Sequence, residues 1–119
     1  MSFKLGTVDG KAVLIKDENY YDVATVSNGA ISTDSVEALK SQSELSKIYE
    51  SLSSESATGK VSDIELGNPV PKSQNCYAVG LNYRKHAEES GMDIPEVPMI
   101  VTTHTSCFGG PKSNIEMRS

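Results

Sequence analysis

His86 and Glu89, a histidine and a glutamate three residues apart, are the pair in this chain best suited to chemistry. They lie in NCYAVGLNYRKHAEESGM, residues 75–92, which reads as an apolar strand turning directly into a short polar helix. Positions i and i+3 share one face of a helix, so the carboxylate is placed to reach and orient the imidazole. A histidine oriented in this way is a general base for activating water. The same residue types at this spacing also occur on helix faces that only meet solvent, and the pair by itself does not separate the two readings. A metal set is the third option. Cys76, Cys107, His86 and His104 are zinc ligands by type, but their spacing lacks the close pairs of a zinc site. The two cysteines read instead as reduced thiols of a cytosolic protein, with one disulfide left open.

The elements that must position this pair follow from pattern and punctuation. Phe3, Leu5 and Val8 belong to a strand-like run that reaches Asp9-Gly10, a dipeptide suited to a tight hairpin turn, and Ala12 to Ile15 form the returning strand. Tyr20 to Val26 is a third candidate strand, closed by Asn28-Gly29. Thr33 or Asp34 caps a helix, with Glu37 placed to complete a capping box. Val36, Leu39, Leu45, Ile48, Tyr49 and Leu52 make an apolar stripe at helical spacing, opposite Ser43, Glu44, Lys47 and Glu50. This predicts an amphipathic surface helix packed on the hairpin; a partner-binding helix is the functional alternative.

Ser51 to Lys60 is serine-rich and reads as a loop, and Val61 to Leu66 as one more strand. In GNPVP, residues 67–71, two prolines flanking a valine impose an extended path, which suits a domain linker. Beyond it come the Asn75–Leu81 strand, a helix over about Asn82–Ser90, Gly91 as its left-handed terminator, and a β-branched strand over Met99–Thr103. Phe108-Gly109-Gly110-Pro111 forces a turn.

Composition narrows the function classes. The chain has 119 residues and a formal net charge of −5 with no basic cluster, which argues against nucleic acid as a partner. The N-terminus lacks a charged-then-apolar signal pattern, and no apolar run approaches membrane-spanning length, so a cytoplasmic protein without membrane contact is expected.

The stretch GNPVPKSQNCYAVGLNYRKHAEESGMDIPEVPM resembles the linker and first catalytic-domain segment of the fumarylacetoacetate hydrolase family, above all its bacterial two-domain members. The resemblance rests on the apolar strand ending in Gly80, on Asn82-Tyr83 at the turn, and on His86 and Glu89. Pro98, Ser106, Gly110, Pro111 and the closing IEMRS also fit. It implies an α+β fold: a small N-terminal hairpin-and-helix domain over residues 1–66, a linker over 67–74, and over 75–119 the first strands and lid helix of a mixed β-roll catalytic domain cut short.

The resemblance further implies a metal-dependent enzyme of acylpyruvate-like oxo-acids, acting by hydrolysis, decarboxylation or isomerisation, with a small-molecule substrate and room for a homodimer. His86 would be the base that activates water, Glu89 the carboxylate that fixes its tautomer, and Asn82 and Tyr83 substrate contacts. The family holds a divalent cation, usually Mg²⁺, through carboxylates that polarise the oxo groups through the metal. Two departures stand out. Those carboxylates follow the IEMRS segment in the family, and Glu88, Asp93, Glu96 and Glu116 do not reproduce their close spacing. Val101 and Thr103 stand where the family has a phenylalanine and then a substrate-side lysine, with His104 next. The chain alone is therefore expected to be inactive. The competing expectation is a non-catalytic remnant or interaction module, stable through its N-terminal unit or through association.

Overall fold

The computed structural model describes residues 2–71, 73–115 and 117 of the chain. It divides into two units, Met1–Lys72 with Phe108–Ser119, and Ser73–Cys107. Helices and antiparallel sheets are mixed, as the α+β reading expects.

In the first unit, strands β1 (Leu5–Val8), β2 (Lys11–Lys16), β3 (Asn19–Asp22) and β4 (Gly59–Lys60) form a sheet in the order β1-β2-β3-β4. The β1–β2 turn has Asp9 at φ 50° and Gly10 at φ 75°. Positive φ at both central residues matches the right-handed twist of the flanking strands, which is why Asp-Gly closes this hairpin. The register pairs Leu5 with Leu14 and Leu14 with Tyr21. Directly opposed residues share a face, so one side of the sheet carries a continuous apolar row.

That row meets the helices. Ala12, Leu14, Tyr21, Val23, Ile31, Ala38, Leu45 and Leu52 form the buried core, with Phe3, Leu5, Ile48 and Tyr49 packed around it. The helical stripe read from the sequence packs on the core at Leu45, Ile48, Tyr49 and Leu52, whereas in its first part Ser35 and Ala38 are buried in place of Val36 and Leu39, and the stripe is broken into three pieces. Helix α2 (Ser35–Ala38) is followed by a 3₁₀ turn at Leu39–Ser41 and then by α3 (Gln42–Ser51). Asp34 caps α2, its carboxylate accepting from the amides of Val36 (3.0 Å) and Glu37 (3.1 Å). The reciprocal half of the expected capping box is replaced, because the Glu37 carboxylate pairs with Lys40 at 2.7 Å.

Two expected strands are corrected. Tyr20–Val26 is a strand only as far as Asp22; Val23–Val26 form a helical turn, α1. The Asp22 carboxylate accepts from the Thr25 amide at 2.8 Å and its hydroxyl at 2.7 Å, and this local cap outcompetes the β preference of Val23, Thr25 and Val26. Val61–Leu66 is not a strand: Val61–Asp63 make a 3₁₀ turn, and pairing at this edge is confined to β4. The serine-rich Ser51–Lys60 stretch expected as loop begins with the last residue of α3, contains a 3₁₀ turn at Ser54–Ser56 held by a Ser53/Ser56 capping box, and ends in strand β4.

The second unit contains β5 (Cys76–Gly80), α4 (Arg84–Glu89) and β6 (Met99–Thr103). β5 and β6 pair antiparallel, from Cys76 opposite Thr103 to Gly80 opposite Met99. Tyr77, Val79 and Ile100 lie on one face of this two-stranded sheet and Val101 and Met99 on the other, and all five are exposed. Among the described residues of this unit, Ala87 is the buried hydrophobic. No helix among the described residues is long and apolar enough to cross a membrane.

Candidate functional site

The strand-to-helix turn predicted from the sequence is present. β5 ends at Gly80, and Leu81 then takes φ 50°, a left-handed conformation costly for a bulky side chain. Asn82 and Tyr83 follow, between the strand end and the helix. Tyr83 is the N-cap of α4, its carbonyl accepting from the amides of His86 (3.0 Å) and Ala87 (3.2 Å). Tyr83 is 75% exposed, and Asn82 is also exposed.

The other end of α4 is closed by backbone alone. Met92 N donates to Ala87 O at 3.0 Å and Gly91 N to Glu88 O at 3.1 Å, with Gly91 at φ 64°. This is a Schellman motif, and Gly91 occupies its left-handed position as the sequence reading expects. The helix is shorter than expected at both ends, Arg84–Glu89 against about 82–90.

His86 and Glu89 both belong to this short helix, one turn apart and exposed. Ala87, fully buried, marks the inward side of α4 and leaves the dyad on polar turns around it. No hydrogen bond or ion pair joins the two side chains.

The remaining sequence candidates do not converge on the dyad. A cleft of about 230 Å³ at the open end of β5 and β6 is lined by Asn75, Cys76, Thr103, His104 and Thr105 among others, and includes neither His86 nor Glu89. Thr103, at the position where a lysine was looked for, is half-buried at this cleft. Sequence reasoning did not single out the cleft, because only the Cys76–Thr103 register brings its two walls together. Cys76 is partly buried and Cys107 exposed, and both thiols are free.

Among the described residues, no three side chains of His, Cys, Asp or Glu are grouped so as to hold a metal ion. Neither the four-residue zinc set nor a magnesium-binding carboxylate cluster fits the residues described; Glu116 lies outside them.

Comparison with known proteins gives partial matches. No protein-family model matches the chain. It is 49% identical over 45 residues to the oxaloacetate tautomerase YisK of Bacillus subtilis, a match covering 35% of this chain and 15% of that protein. A protein of Burkholderia multivorans provisionally named a hydrolase is 35% identical over 52 residues, covering 44% of this chain and 18% of its own length. The crystal structure of a Mycobacterium smegmatis protein provisionally named HpcE superposes with a TM-score of 0.81 and 28% identity. That superposition covers 97% of this chain and 40% of the neighbour, so the chain spans well under half of the structure whose fold it shares.

Proposed function

We propose that this chain carries the base-bearing segment of a fumarylacetoacetate hydrolase-type enzyme acting on acylpyruvate-like oxo-acids. The observation that carries the reading is the strand–turn–helix unit of β5 and α4, with Asn82 and Tyr83 at the turn and His86 and Glu89 on the helix. The relatives support it at the level of names, one a tautomerase of an oxo-acid and one a hydrolase, and the HpcE-type neighbour supports it at the level of fold.

In this reading His86 takes a proton from water, and the resulting hydroxide adds to the acyl carbonyl carbon. The bond between that carbon and the oxo-acid fragment then breaks. Its electron pair passes to the fragment as an enolate, which takes the proton back from His86 and leaves as the oxo-acid, while the hydroxylated acyl fragment leaves as a carboxylic acid. Glu89 orients the imidazole, and Asn82 and Tyr83 contact the substrate at the mouth of the turn. The same base serves tautomerisation, in which a proton leaves one substrate atom and returns to another without water being consumed. The magnesium ion that the resemblance implies finds no ligand set among the described residues, so no step here is routed through it.

The dyad alone offers proton transfer, typically worth about 10²–10⁴-fold, too little to support turnover without charge stabilisation at the enolate. The chain by itself is therefore proposed to be inactive. The test joins it to the part of the Mycobacterium smegmatis protein that it does not match. Acylpyruvate cleavage or oxaloacetate tautomerisation should appear in the fusion with Mg²⁺ and be absent from the 119-residue chain. Turnover by the chain alone, or a well-folded fusion inert toward every oxo-acid tried, would remove the reading.

A further inference from the structure

Thr7 is a buried hydroxyl residue, 1% exposed, in the middle of β1. It holds a segment sixty residues further along the chain. Its Oγ1 donates to the carbonyl of Asn68 at 2.9 Å, and its own carbonyl accepts from the Gly67 amide at 2.8 Å. The Asn68 side chain then closes the next turn, Oδ1 accepting from the Val70 amide at 2.9 Å. The approach is so close that a Cβ at Gly67 would stand 2.8 Å from Thr7 Oγ1. Residues 67–70, read from the sequence as the start of a domain linker, are strapped to β1 at Thr7.

The second crossing returns to the same place. A Cβ at Gly110 would lie 3.2 Å from the carbonyl oxygen of Leu66 and 3.6 Å from Gly67 Cα. Gly110 is fixed there by its own turn, its amide donating to Ser113 Oγ at 2.8 Å and its carbonyl accepting from the Ser113 amide at 3.1 Å. All these residues belong to the first unit, and they flank the whole of Ser73–Cys107.

We propose that Thr7, Gly67 and Gly110 form a clasp that closes the Ser73–Cys107 segment at both ends and thereby stabilises the β5–β6 ladder. A two-stranded sheet with exposed faces is marginal by itself. β5 begins nine residues after Gly67 and β6 ends seven residues before Gly110, so fixing the two flanks side by side lowers the closure entropy of pairing Cys76 with Thr103. A Cβ at Gly67 would collide with Thr7 Oγ1, and one at Gly110 would press on the backbone of Leu66, tightly enough that a branched side chain there forces the crossings to shift. The hydroxyl of Thr7 is needed because it satisfies the partly buried Asn68 carbonyl.

Native-state hydrogen exchange on the 119-residue chain tests this in Thr7→Val, Gly110→Val and the control Thr7→Ser. Valine keeps the shape of threonine and removes the donor; serine keeps the donor. In Thr7→Val and Gly110→Val, amides of β5 and β6 should exchange about tenfold faster, the scale of one net hydrogen bond lost, while those of Val13 and Leu14 change less than about twofold. Thr7→Ser should leave both sets near the parent values. Gly67→Ala should show the same selective loss, and Thr7→Ala should partly relieve it by removing the clashing oxygen, a coupling that independent sites lack. Unchanged β5–β6 exchange in Thr7→Val and Gly110→Val, or equal acceleration in the two units, would overturn the clasp.

Discussion

The Lys16 ammonium, at the end of β2, donates to the carbonyl of Leu52 at 2.9 Å and so closes the C-terminus of α3 from the sheet. It also donates to the carbonyls of Tyr49 (3.0 Å) and Glu50 (3.4 Å) and lies 5.5 Å from the centroid of the Tyr49 ring. These are the carbonyls a helix end leaves unpaired and partly negative, so one cation satisfies several of them at once. Lys16→Met keeps the apolar stem and removes the charge. It should cost about 1–2 kcal/mol, read as a lower urea midpoint with an unchanged slope. An unshifted midpoint would show that water replaces the ammonium without loss.

Gly91 offers a cleaner backbone test. Its φ is 64°, and a Cβ there would meet nothing within 4 Å. Any cost of Gly91→Ala is therefore conformational rather than steric, about 1 kcal/mol. The loss should fall on α4, with faster exchange of the Gly91 and Met92 amides, and Gly91→Asn should recover part of it. Equal exchange in Ala and Gly forms would mean that the Schellman turn is not what ends the helix.

Protection should differ sharply between the units. The core from Ala12 to Leu52 lies wholly in the first unit, whereas Ala87 is the buried hydrophobic among the described residues of the second. Amides of Val13 and Leu14 should thus exchange only on global opening, and those of β5 and β6 by much cheaper local opening. Comparable protection of Val79 and Leu14 would contradict that division.

Acid should weaken α3 slightly. The Ser43 hydroxyl donates to the Glu44 carboxylate at 2.7 Å, and this bond, helped by the residue's own amide and by Lys47, holds the Glu44 pKa below the usual carboxylate value. A group whose folded pKa is depressed stabilises the fold above its unfolded pKa, and the contribution disappears as pH falls through the folded value. The helix signal of the parent chain should therefore fall with acidification below the ordinary glutamate range more than that of Glu44→Gln. Superimposable curves would refute the assignment.

How far the fold could be read from the sequence depended on whether its determinants were local. Asp9-Gly10 and Gly91 adopt the left-handed conformations their residue types suit, and Met99–Thr103 is a strand over those bounds. Val23 to Val26 depart from the strand their β propensity suggests because the Asp22 carboxylate caps a helical turn there, ending the strand four residues before the pattern does. Lys16 on α3 and Thr7 on Asn68 join residues more than thirty positions apart, and nothing in their neighbours announces either contact. Leu81 is the reverse case, a bulky residue in a left-handed conformation where a glycine would have signalled the turn. Of the candidate site, the placement of His86 and Glu89 on one short helix was legible from spacing. Their lack of a mutual hydrogen bond was not, since side-chain rotamers on an exposed helix follow no sequence rule.

The measurement closest to the central proposal is a double-mutant cycle on kcat/KM in the fusion that carries the missing catalytic part. His86→Ala should lower kcat/KM for an acylpyruvate by about 10²–10⁴-fold, with folding and KM nearly intact. Glu89→Ala should cost less, because it acts through the histidine. The double variant should be no slower than His86→Ala alone, since residues that work as one unit are not additive. Strictly multiplicative losses, or a fusion indifferent to His86→Ala, would contradict the assignment of the pair as base and orienting carboxylate.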